Sequence, residues 1–67
     1  MHSDLELSGV QRREKTVQLL RDNGQLTVKE LADRFGVSEM TIRRDFHVLE
    51  DQGIAVLYYG GARLKNT

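Results

Sequence analysis

Two adjacent arginines, Arg43 and Arg44, stand in the run Ser38-Glu-Met-Thr-Ile-Arg-Arg-Asp-Phe-His47. An arginine guanidinium can donate two parallel hydrogen bonds to guanine, and threonine or methionine can touch a thymine methyl or a phosphate. A second group lies further on: Tyr58, Tyr59, Gly60, Gly61, Arg63 and Lys65. The glycine pair would let backbone approach a phosphate closely, and a tyrosine hydroxyl or Arg63 could hydrogen-bond one. This is the chemistry of recognition rather than of bond-making. The chain has no cysteine, and its histidines are only His2 and His47. Two distant histidines do not suggest a metal site. Paired carboxylates beside a histidine and a phosphate-binding glycine motif before a helix are both missing from the sequence. Enzyme activity is not expected, nor is a metal or cofactor in this chain.

These groups need elements to position them. Helical character begins near Gly9 or Val10 and continues to Asn23, with Val10, Val17 and Leu20 on one face and Leu19 beside them. Gly24 follows as a helix stop. Gln25-Leu-Thr27 is too short for an independent strand but could pair with one elsewhere. Thr27-Val-Lys-Glu30 fits a capping box, which opens a second helix over about Val28 to Phe35 that buries Leu31, Ala32 and Phe35. Gly36 breaks it. Ser38 is a strong N-cap for a third helix from about Glu39 to Gln52, with Ile42, Phe46 and Leu49 inward and Gly53 closing it. The β-branched and aromatic run Ile54 to Tyr59, a turn at Gly60-Gly61 and the return Ala62 to Lys65 predict a hairpin. The fold class is therefore mainly α with a small β-hairpin, a winged helix-turn-helix of three helices plus a wing.

A helix-turn-helix that reads DNA holds its second helix at a steep angle to the first, so that it enters the major groove. Ala32 supplies the small residue at the crossing, Gly36 the turn residue that permits positive φ, and Ile42 the apolar anchor. About 100° per residue places Arg44, Met40, His47, Val48 and Thr41 opposite the core, in that order from directly outward, with Arg43 on a flank. Arg43 follows Glu39 by four, the favourable orientation for a helical ion pair, and so could be structural or phosphate-bound. Asp45 flanks the core and would repel phosphate, which suits it to orienting an arginine or bonding to backbone. His47 is either a base or phosphate contact or an ordinary exposed histidine. One of Tyr58 and Tyr59 should pack on the core. Arg12 and Arg13 could reach a DNA backbone or could be solvated surface arginines.

Length and charge bound these readings. Sixty-seven residues form one small domain with a thin core. Ten basic and ten acidic residues cancel, which permits nucleic-acid binding without arguing for it. Asp4 and Glu6 fall in the leading segment, however, and no acid follows Asp51. No apolar run approaches the roughly 20 residues that cross a bilayer, and the acidic N-terminus is no signal peptide. The chain is expected to be cytoplasmic, with residues 1–9 a flexible segment and 10–65 the folded domain.

Arg12-Arg-Glu-Lys with Leu19-Leu and Gly24 behind it, Thr27-Val-Lys-Glu-Leu-Ala32, Gly36-Val-Ser-Glu-Met-Thr-Ile-Arg-Arg-Asp45, Leu49-Glu-Asp-Gln-Gly-Ile54 and Tyr59-Gly-Gly-Ala62 together resemble the DeoR family of bacterial transcriptional regulators. The resemblance covers about residues 12 to 64. It implies a repressor, mostly of carbohydrate uptake and catabolism, that releases double-stranded DNA when a sugar phosphate binds. The helix-turn-helix motif carries over to about 26–45, with the reading helix at Ser38 to His47. The DNA-binding residues expected are Thr27, Ser38, Glu39, Met40, Thr41, Arg43, Arg44 and His47, with Tyr59, Gly60, Gly61 and Arg63 on the wing. Phe46 stands where the family usually has leucine, and Tyr59 where it usually has a basic residue or histidine. Family members continue into a long C-terminal domain that binds the sugar-phosphate effector and drives homo-oligomerisation. That domain is absent from this chain, so a monomer is expected.

The rival reading is a winged-helix protein-protein interaction module that displays its third helix to another protein. Arg43 and Arg44 favour DNA. Zero net charge and an outward Met40 and Val48 favour the rival.

Overall fold

The computed structural model describes residues 8–65. The order is α1 (Gly9–Asn23), β1 (Gln25–Thr27), α2 (Val28–Phe35), α3 (Glu39–Asp51), β2 (Ala55–Tyr58) and β3 (Gly61–Leu64). This is the mainly α winged helix-turn-helix that the sequence pattern predicts.

Each helix starts on a capping side chain that satisfies otherwise unpaired amides. Thr27 and Glu30 form the predicted capping box, the Glu30 N–H donating to Thr27 Oγ1 and the Thr27 N–H to Glu30 Oε1, each at 3.0 Å. Ser38 Oγ accepts from the Thr41 N–H at 3.1 Å. A third cap lies at the N-terminus. Ser8 and Gln11 form a capping box of their own, so α1 begins at Gly9, within the segment expected to be flexible. The remaining residues of the expected flexible segment, 1–7, lie outside the described residues.

The core is made by Leu20 of α1, Leu26 of β1, Leu31 and Phe35 of α2, and Ile42, Phe46 and Leu49 of α3, with Ala55 and Ala62 from the hairpin. Val10 departs from expectation: it is 61% exposed. It lies in the first turn of α1, while the core gathers around the helix's C-terminal half, at Leu20 with Val17 and Leu19 partly buried. Thr16 is buried instead, and its hydroxyl donates to the Arg12 carbonyl at 2.8 Å. Gly36 takes φ 65°, a left-handed conformation that ends α2 and turns the chain into α3.

The three strands form one antiparallel sheet in the order β1-β3-β2. Gln25–Thr27 thus finds its partner in β3, in the register Gln25↔Arg63, Leu26↔Ala62, Thr27↔Gly61. The hairpin turn is displaced by one residue from the predicted position. Tyr58 pairs with Gly61, so Tyr59 and Gly60 form a two-residue turn and Gly61 already belongs to β3. Gly60 carries the positive φ, 84°. The double glycine therefore divides its duties between turn and strand.

Candidate nucleic-acid interface

The outward side of α3 follows from its inward side. Ile42, Phe46 and Leu49 are essentially inaccessible, and the helical period then brings Met40, Arg43, Arg44 and His47 to the surface, all exposed. Thr41 and Val48 are half-buried, so Val48 is less outward than helical geometry alone suggested. Arg44 Nη2 lies 3.8 Å from Met40 Sδ, one turn earlier. An arginine fork and a methionine thus share one exposed stretch of helix.

Local pairs orient the rest of this face. Arg43 Nη2 reaches Glu39 Oε1 at 3.3 Å, the predicted i,i+4 pair, with both side chains about half exposed. Such a pair is held loosely, so the guanidinium can exchange its partner. His47 Nδ1 stands 3.5 Å from Glu50 Oε1, a contact the i,i+3 spacing could have signalled. Ser38 and Thr41 share a hydroxyl–hydroxyl hydrogen bond of 3.0 Å beside the cap.

The wing faces α3 across an open cleft. Arg43 and His47 line one side, Leu57, Tyr58, Tyr59 and Gly60 the other, and Phe46 and Val28 lie between them. Tyr59 is completely exposed at the turn, whereas Tyr58 is 41% exposed and its ring lies over Gly61. Gly61 itself is buried. Arg63 stands apart from the cleft, exposed in the middle of β3 opposite Gln25 and Val56. Thr27 is exposed at the start of α2, its hydroxyl engaged in the cap. The predicted residues are therefore not one patch. Arg43, His47, Tyr59, Gly60 and Gly61 meet at the cleft, Met40 and Arg44 continue along α3, and Thr27 and Arg63 lie at the edges.

Arg12 and Arg13 both turn toward Asp45. Its side chain is 3% exposed. Arg12 forks onto it, Nε to Oδ2 and Nη2 to Oδ1, the latter at 3.0 Å. Arg13 Nη1 reaches Oδ1 at 3.3 Å. The hydrogen bond that Arg12 donates to Asp45 holds the Arg12 pKa above its ordinary value, against the opposing effect of burial. The acid orients arginines, as its position suggested, but they come from α1 and not from its own helix. Bidentate pairing of this kind is strong and geometrically specific.

Among the described residues no helix is long and apolar enough to cross a membrane. A family model described as the DeoR-like helix-turn-helix domain matches residues 12–67. The chain is 52% identical over 52 residues to a protein of Escherichia coli O157:H7 whose name assigns it provisionally to repression of the aga operon, covering 78% of this chain and 19% of that protein. It is 42% identical over 53 residues to the lactose phosphotransferase system repressor of Lactococcus lactis subsp. lactis, covering 79% of this chain and 21% of the repressor. It is 38% identical over 58 residues to a protein of Escherichia coli K12 named provisionally as a galactitol utilization operon repressor, covering 87% of this chain and 52% of that protein. The chain thus spans between about a fifth and about half the length of these relatives. No solved structure gives a significant match.

Proposed function

Because the chain belongs to the DeoR-like helix-turn-helix family, whose modules bind DNA in transcriptional regulation and are not enzymes, we propose that it is the operator-reading domain of a bacterial, cytoplasmic repressor of carbohydrate genes. The names of the lactose and galactitol relatives support the carbohydrate assignment. Each copy reads one half-site of duplex DNA. α3 enters the major groove, Arg44 meets a guanine edge, and Met40 and Thr41 meet neighbouring methyls or phosphates. Thr27, Ser38, Glu39, Arg43 and His47 flank these contacts. Tyr59, Gly60 and Arg63 hold the phosphate backbone from the wing, with Gly61 keeping the turn close. A homo-oligomer of the complete protein would present two such heads to paired half-sites.

The observation that carries this reading is the exposed Arg44 and Met40 side by side on the helix face opposite the core. Binding-site selection from random duplexes, using the chain fused to a dimerising coiled coil, tests it. Recovery of paired half-sites with a preferred guanine supports the reading, and recovery of unenriched sequences overturns it. Met40, 61% exposed, and zero net charge also suit a protein-interaction surface, the reading that would then replace it.

A further inference from the structure

Asp45 follows Arg44 directly, yet it points the opposite way, into the fold. Its carboxylate gathers Arg12 by two nitrogens and Arg13 by one. Both arginines belong to the start of α1, more than thirty residues earlier in the chain. Without the carboxylate, two cations of α1 would lose this partner beside the proposed reading helix. Phosphates carry no sequence, so added cations beside a reading helix strengthen binding to every duplex alike.

Resting on the DNA-reading proposal above, we propose that Asp45 is a positioning and specificity-determining residue that fixes α3 against α1 and withholds Arg12 and Arg13 from phosphate contact. Arg13 shows the sequestration most plainly. Its side chain is 29% exposed, so it lies at the surface, but its contact is with the carboxylate. Fixing α3 against α1 sharpens discrimination, while withholding the two arginines lowers affinity for every duplex alike. A carboxylate serving the fold alone would not have that effect.

The test compares the wild-type chain with Asp45→Asn on a duplex recovered by selection and on a scrambled duplex, across a salt series, with folding followed by circular dichroism. Asp45→Asn should bind the scrambled duplex more tightly, lower the preference for the selected one, and steepen the salt slope by about 0.9 for each arginine that reaches a phosphate. Adding Arg12→Gln and Arg13→Gln to Asp45→Asn should return the slope to the wild-type value while the preference stays low. Equal weakening on both duplexes with an unchanged slope would mean that Asp45 supports only the fold, and the proposal fails. If Asp45→Asn does not fold, Arg13→Gln decides, because it leaves the Arg12 fork in place. An unchanged slope is then expected, and a slope shallower by about 0.9 would show that Arg13 already holds a phosphate and overturn the proposal. Failure of the DNA-reading proposal would appear elsewhere, as a wild-type chain with no preference among duplexes.

Discussion

Gly61 faces the carbonyl of Leu26 so closely that a β-carbon on Gly61 would collide with the Leu26 oxygen and stand 3.0 Å from the Tyr58 hydroxyl. The contact brings β1 and the hairpin together at the edge of the cleft, and it leaves no room for a side chain on β3 at that position.

Gly61→Ala is therefore expected to destabilise the fold by about 1–3 kcal/mol, the usual cost of overpacking. Urea denaturation read by circular dichroism checks it. A midpoint equal to that of the wild type would mean that β1 can move away without loss.

At Gly36 the constraint is the backbone itself, φ 65°. A β-branched residue there carries strain of about 1–3 kcal/mol, and in a chain of this size that is a large part of total stability. Gly36→Val should lower the melting temperature sharply or unfold the chain. An unchanged transition would refute the role assigned to this turn.

Arg44 and Arg63 separate two kinds of contact. Arg44→Ala should cost about 1–3 kcal/mol on the selected duplex and relax preference at one base pair. Arg63→Ala should weaken binding to all duplexes alike and reduce the salt slope by about one unit. Titration of both variants on selected and scrambled duplexes decides between the roles. If Arg44→Ala weakens both equally, Arg44 is a phosphate clamp.

Tyr59 has no packing to lose, being fully exposed at the turn. Tyr59→Ala should leave the unfolding free energy within about 0.5 kcal/mol of wild type while weakening DNA binding. A stability loss without a change in affinity would reverse the assignment and make the ring part of the fold.

A single reading head offers a small interface, about 600–1,000 Å². The isolated chain should bind a two-half-site duplex weakly, and a fused coiled coil should raise apparent affinity through effective concentration without new contacts. Titrations before and after fusion, at several half-site spacings, measure the gain. No gain at any spacing would count against one half-site per copy.

The local features of this fold were legible because their signals are local. Thr27 with Glu30, Ser38 and Gly36 mark the ends of α2 and α3 through hydrogen bonds and backbone angles spanning three or four residues. Ser8 and Gln11 carry the same three-residue signal, but with no apolar rhythm before them it does not stand out. The turn slipped by one residue because either glycine of the pair could take the positive φ, and only pairing with β1 assigns Gly61 to the strand. Val10 misled because period alone cannot show where along a helix the core stops. Asp45's position predicted an arginine partner, but nothing near it in sequence could name Arg12 or Arg13, since that contact exists only once α1 and α3 have docked.

The Val28 N–H donates to the Gly60 carbonyl at 2.9 Å, which ties the first residue of α2 to the tip of the hairpin. The wing side of the cleft is thereby tied by a hydrogen bond into the helix-turn-helix itself, which favours one width between wing and α3. A duplex that engages both sides must bring its own backbone to that width, and the deformation this takes depends on base steps that no side chain touches.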